Sequence, residues 1–224
     1  MTAEQPVDQR YYQVATPGSL AERVTAYARD GIYRDFLRLT RPSPDSTILD
    51  VGVSDVTGEA ANVLERKYPH LERVTAVGLG AAHEFQATFP QVAYRQIEAG
   101  ERLPFGDREF DIATSNAVLE HCGSEAGQRD LVAELVRVAR TVFISVPHRL
   151  FPVEHHTAIP FAHWTNPTFR LACRILRKNE WSDSRNLILM TRRRLRQLHP
   201  GQAFVDTTGI RLGPWSSNLF MLIR

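Results

Sequence analysis

The sequence predicts an α/β fold organised around a mostly parallel β-sheet, and three observations carry that expectation. From residue 47 onward, short β-branched runs alternate with helical segments, as consecutive βαβ units require. The run 141–146 is apolar and β-branched until Pro147 stops it, which suits a strand buried on both faces of such a sheet. At 224 residues the chain supports one sizeable core but not two ordinary domains with a linker. A single domain over 1–224 is therefore expected, with a leading helical segment at 1–44 and a substrate-side lid at 147–200.

The elements follow in order. Leu20, Val24, Tyr27, Ile32 and Leu37 recur at roughly helical spacing, and Arg41-Pro42-Ser43-Pro44 ends the pattern. Strands are expected at 47–51, 73–77, 92–97 and 110–115, with helices at 58–67 and 81–88 between them. Leu131, Leu135 and Val138, flanked by Val132 and Val136, mark an amphipathic helix before the strand at 141–146. Residues 147–164 hold Pro, His and large aromatics without a period and read as irregular. Helices at 166–178 and 191–199 each have a plausible N-cap, and strands at 203–207 and 218–223 close as an antiparallel pair.

Composition narrows the function classes. Hydrophobic residues make up 43% and charged residues 23%, the balance of a globular protein. No apolar run approaches the ~18 residues of a membrane span, and residues 1–10, with Glu4 and Asp8, lack the features of a targeting peptide. A cytoplasmic location is the resulting expectation. Cys122 and Cys173 form no metal-ligand spacing, and a net charge of +2 does not argue for a nucleic-acid partner. Arg192-Arg193-Arg194 and Arg196, and Arg170, Arg174, Arg177 and Lys178, read as solvated helix faces or as contacts for phosphate or an anionic membrane surface.

In open parallel sheets, ligands bind beyond the carboxyl ends of the strands. The first such loop reads Asp50-Val51-Gly52-Val53-Ser54-Asp55, a strand end with an acid and a glycine, and lacks the GxGxxG dinucleotide fingerprint. Further on stand Leu103-Pro104-Phe105, Phe110-Asp111 and Val118-Leu119-Glu120-His121. These stretches resemble class I S-adenosylmethionine-dependent methyltransferases of the type-11-like group. Pro147-His148-Arg149, Phe151-Pro152, Glu154-His155-His156 and Ser217-Asn218-Leu219 resemble a bacterial branch of it. The resemblance covers about residues 20–224.

It implies a Rossmann-like three-layer sandwich, with a seven-stranded sheet closed by a hairpin that inserts a reversed strand. It also implies an S-adenosylmethionine site. Asp50, Gly52, Val53 and Ser54 would face the amino acid part of that cofactor, Gly78, Leu79, Glu98 and Ala99 its nucleoside, and Asn116, Ala117 and His121 its methionine side. The expected activity is methyl transfer to an oxygen, nitrogen or carbon of a small molecule or glycan precursor. The sequence departs from the family at the ends of strands two and three, where Gly78, Gly80 and Ala99 stand in place of expected acids. Two lost charge-assisted hydrogen bonds, at ~1.5–3 kcal/mol each, correspond to roughly two to four powers of ten in affinity. A methyltransferase fold repurposed for binding or other chemistry is the second expectation.

His121, His148, Glu154, His155, His156 and His163 fall in segments expected to face the substrate. A histidine beside a carboxylate serves as a general base near neutral pH, whereas histidines elsewhere cap loops or pack on aromatics. Glu154 with His156 is the leading catalytic pair, and His148 comes next. No metal ligand set is read from the spacing, since ligands adjacent in sequence rarely point at one ion.

Overall fold

A computed structural model of the chain describes residues 18–56 and 58–224. The polar start at 1–10 and the first part of the leading segment lie outside the described residues. Seven strands form one sheet: β1 (Ile48–Val51), β2 (Val74–Gly78), β3 (Ala93–Gln96), β4 (Phe110–Asn116), β5 (Ala139–Pro147), β6 (Phe204–Leu212) and β7 (Trp215–Ile223). Their spatial order is β3-β2-β1-β4-β5-β7-β6. The first five pair in parallel, while β7 runs antiparallel between β5 and β6. The strand order reverses between β1 and β4, so a crevice opens beyond their carboxyl ends. This is the Rossmann-like sheet with a reversed last strand that the sequence predicts.

The helices cover both faces: α1 (Leu20–Thr40), α2 (Val63–Lys67), α3 (His83–Thr88), α4 (Glu125–Val138), α5 (Asn166–Ile175) and α6 (Arg192–Gln197). Ser19 caps α1 by accepting the Glu22 amide at 3.1 Å. Ala28, Ile32 and Phe36, spaced four apart, form its buried stripe. The Phe36 ring meets Phe143 of β5 edge-on at 5.7 Å, and Phe143 stacks on Phe220 of β7 at 5.5 Å. Leu20, Val24 and Tyr27, read from the sequence as part of that stripe, are exposed instead. They lie roughly a third of a turn around the helix from Ala28, Ile32 and Phe36, so one straight helix cannot bury both sets.

Three other boundaries differ from the sequence expectation. The helix expected at 58–67 begins only at Val63, because Asn62 adopts a left-handed conformation and ties its side chain to the backbone of Ser54. The helix expected to run to residue 178 ends at Ile175, where Leu176 caps it and Arg177 turns left-handed. The final hairpin is longer than 203–207 and 218–223, since β6 accommodates an irregularity between Thr208 and Arg211 and continues to a turn at Gly213.

The core lies in two layers, one on each side of the sheet. A smaller cluster, Ile159, Phe169, Cys173 and Leu187, holds the segment between β5 and α6 together over the sheet's carboxyl edge. None of the described helices is long and apolar enough to cross a membrane.

Candidate active site

A cleft of about 790 Å³ opens beyond the carboxyl ends of β1, β2, β3 and β4. Its volume is within the range of small-molecule sites, about 300–1,000 Å³. Every residue predicted for the cofactor lines it: Asp50, Gly52, Val53, Ser54, Gly78, Leu79, Glu98, Ala99, Asn116, Ala117 and His121. His156 joins them from the segment after β5. His148 does not. It sits in a narrow crevice with His155 and His163, with its Nδ1 3.2 Å from the Ser216 carbonyl, and so is not placed beside His156 in the cleft.

Gly52 ends β1 in the left-handed region, at φ 99°, where a side chain is strained. Its Cα also faces the end of β4 so closely that an added Cβ would fall 2.2 Å from a Val118 methyl. The amides of Gly52 and Val53 both donate to the Val77 carbonyl, at 2.9 and 3.2 Å. These two amides are therefore engaged with β2, while both residues line the cleft. The Ser54 amide likewise donates to the Asn62 side chain at 3.0 Å.

Charge enters the cleft from residues the sequence did not single out. Arg29 of α1 lines the cleft and donates to the Ala60 carbonyl, and its charge acts on Asp50 and Glu120. Burial raises the Asp50 carboxyl to about 7, against the lowering influence of Glu65, the Val51 backbone and Arg29. Glu65 of α2 is 2% exposed, and burial followed by the charge of Asp50 pushes its carboxyl well above the usual range. A half-buried acid, Asp50, and a buried one, Glu65, thus lie together under the end of β1, and burial raises the carboxyl of each.

At the end of β2, Gly78 is enclosed. An added Cβ would lie 3.0 Å from the Tyr94 hydroxyl and 3.0 Å from the Val53 carbonyl. Tyr94 of β3 donates to the Gly80 carbonyl and fills space that an acidic side chain would use. Gly78 lines the cleft and Gly80 does not, so of the two glycines that stand where acids were expected, only position 78 borders the cleft.

A tight turn brings together Glu154 and His156, the pair expected to be catalytic. Glu154 Oε1 accepts from His156 Nδ1 at 2.9 Å, and Oε2 accepts the His156 amide, the Thr157 amide and the Thr157 hydroxyl at 3.0, 2.6 and 2.7 Å. Burial alone raises the Glu154 carboxyl, but the hydrogen bond and charge of His156, with Thr157, outweigh it and hold it near 2. Burial likewise lowers His156, and the Glu154 carboxylate more than offsets this, so the imidazole is raised. His121 stands opposite: its Nδ1 lies 2.7 Å from the Asn186 carbonyl and its Nε2 3.2 Å from His156 Nε2. Burial and the neighbouring His156 lower it to about 4, so it is neutral. Trp181 packs against both rings. Asn186 and Trp181 carried no motif, and only the folded loop brings them to the site.

Residues 49–141 match the profile of the methyltransferase domain family. No curated protein sequence matches the chain. Solved structures with the same fold include magnesium protoporphyrin IX methyltransferase from Synechocystis with bound S-adenosylhomocysteine. It is 12% identical, with a TM-score of 0.60 over 96% of this chain and 92% of that one. A Haloferax volcanii putative methyltransferase, solved in complex with the Trm112 activator, is 13% identical with a TM-score of 0.58, over 97% and 98% of the two chains. An Aquifex aeolicus S-adenosylmethionine-dependent methyltransferase is 14% identical with a TM-score of 0.54, over 97% and 100%. Residues 49–141 thus match a methyltransferase domain, and the chain shares the fold of S-adenosylmethionine-dependent methyltransferases of known structure.

Proposed function

We propose that the chain transfers a methyl group from S-adenosylmethionine to an oxygen, nitrogen or carbon of a small molecule or glycan precursor. The observation that carries this reading is the pairing of opposite charges at the methionine end of one cleft. Asp50 offers a carboxylate to an ammonium and Arg29 a guanidinium to a carboxylate, the two groups of an amino acid. Gly78, Leu79, Glu98 and Ala99 line the end where the nucleoside lies, and Glu98 supplies an acid there. When bound, the cofactor contributes the electrophilic methyl group. The remaining work is alignment and exclusion of water. Asn116, fixed by a 2.5 Å hydrogen bond from Ser145, borders the path of the acceptor with Ala117 and His121. His156 takes the acceptor's proton at Nε2, and the Glu154 carboxylate stabilises the resulting imidazolium.

The enclosed Gly78 favours a second reading, a methyltransferase fold turned to another ligand, because the position of the ribose acid holds no side chain. Titration calorimetry with S-adenosylmethionine and S-adenosylhomocysteine separates the two. Micromolar binding is expected, weakened about ten- to a hundredfold by Asp50→Asn or Arg29→Ala. Absence of binding up to millimolar concentration leaves the second reading standing.

A further inference from the structure

We infer that Glu120, His121 and His156 form a binding site for a divalent transition ion such as Zn²⁺ in the wall of the cleft. One donor atom from each side chain lies within 4.8 Å of the other two. The two Nε2 atoms are 3.2 Å apart. Nitrogens at about 2.0–2.1 Å from a tetrahedral ion stand about 3.3 Å from each other, so the imidazole pair already has the spacing of a ligand pair. The carboxylate closes to that spacing with a movement of at most about 1.5 Å.

The ring orientations support this assignment. His156 commits Nδ1 to Glu154, and His121 commits Nδ1 to the Asn186 carbonyl, which directs both Nε2 atoms toward the shared point. Metal-ligating histidines are held in this way, by a carboxylate or a backbone carbonyl on the opposite nitrogen. An independent observation comes from Glu120. It is 1% exposed, and neither carboxylate oxygen has a hydrogen-bond partner. A buried carboxylate without a partner is costly, and an ion at this point removes the cost. Arg29 also acts on Glu120 by charge, but its guanidinium donates to Ala60.

Two imidazoles and one carboxylate suit Zn²⁺ or a neighbouring transition ion better than Mg²⁺ or Ca²⁺, which prefer oxygen ligands. Both histidines line the cleft, so an ion held by three protein ligands keeps a position open toward the substrate. A hydroxyl-bearing acceptor fits that position, where the ion increases the acidity of a bound oxygen. This deepens the methyl-transfer reading of the same site: with the ion bound, His156 Nε2 is a ligand and the ion replaces it in activating the acceptor. Ion binding is measured without cofactor, so its failure and that of the methyl-transfer reading are seen separately.

The full chain is stripped with a chelator and titrated with ZnCl₂ by calorimetry, and with CoCl₂ by visible absorption. One ion per chain is expected, with a tetrahedral Co²⁺ spectrum and a change in fluorescence from Trp181, which packs on His156 at 4.9 Å. Glu120→Gln and His121→Ala should each weaken Zn²⁺ binding at least tenfold, and Glu154→Gln about 10–100-fold by releasing the ring it orients. If Glu120→Gln disturbs folding, judged by circular dichroism, the double variant His121→Ala/His156→Ala at the cleft wall decides. Failure of the native chain to bind one ion, or unchanged binding in the double variant, overturns the proposal.

Discussion

At the scale of single residues, Gly78 and Tyr94 determine how the cleft is built at the end proposed for the nucleoside. The sequence shows that an acid is missing there but not why, because the reason is a contact across two parallel strands. Tyr94 sits on β3, and its hydroxyl reaches the Gly80 carbonyl past the end of β2. A side chain at 78 meets that hydroxyl and the Val53 carbonyl, both 3.0 Å from its Cβ. Restoring the acid alone therefore introduces crowding as well as a hydrogen-bond acceptor. Gly78→Asp should give little or no gain in S-adenosylhomocysteine affinity, whereas Gly78→Asp with Tyr94→Phe should gain about tenfold, near the ~1.5 kcal/mol of one charge-assisted hydrogen bond. Calorimetry on both variants checks this; equal affinities for the two would show that the tyrosine hydroxyl is not the obstacle.

At the scale of elements, α1 does two jobs that its sequence reveals unequally. Its existence follows from the periodicity of its apolar residues, but its buried face does not. Leu20, Val24 and Tyr27 are larger and more apolar than Ala28, yet packing against the sheet selects Ala28, Ile32 and Phe36. That choice also brings Arg29, next to Ala28, to the cleft. Nothing local in the sequence marks Arg29 as a ligand residue, since its partners Asp50 and Ala60 are distant in the chain. The central strands β1, β2, β4 and β5 were legible because each is a short, largely apolar or β-branched run. The irregular stretches on either side of α5 were not, because their order comes from side-chain contacts such as Glu154 with Thr157 and His121 with Asn186. Removing the anchor of α1 should therefore affect both fold and site. Phe36→Ala should destabilise the chain by about 3–5 kcal/mol, as expected for a buried aromatic, while Val24→Ala should change stability by less than about 0.5 kcal/mol. Urea denaturation distinguishes the two, and similar losses would place the helix in a different rotation.

At the scale of the whole molecule, Asp50 and Glu65 make stability depend on pH in a direction that can be worked out. Asp50 is raised from 3.8 to about 7 by burial, and Glu65 is raised as well by burial and by Asp50. A carboxyl raised in the folded state binds more protons there than in the unfolded chain, so stability is fully present below the unfolded pKa and is lost as pH rises through the folded one. Each unit of displacement corresponds to about 1.4 kcal/mol of lost stability. Other groups oppose this over part of the range. His121 and His155 are lowered to about 4, chiefly by burial, and they contribute stability that increases between that value and their unfolded pKa of 6.5. The comparison that isolates the acid pair is therefore between the native chain and Glu65→Gln, in which the histidines act equally. Glu65→Gln removes one acid and lets Asp50 ionise without a carboxylate neighbour. Arg29, whose charge lowers Asp50, is then nearer to balance with it. The variant should gain stability over the native chain steadily from about pH 5 to pH 8, with the two converging near pH 4. Denaturation curves across that range test the expectation, and a constant difference at every pH would show that the two carboxyls are not raised in the folded chain. A bound ammonium beside Asp50 should flatten the native curve in the same way, which links the instability of the empty cleft to the charge of the ligand proposed to fill it.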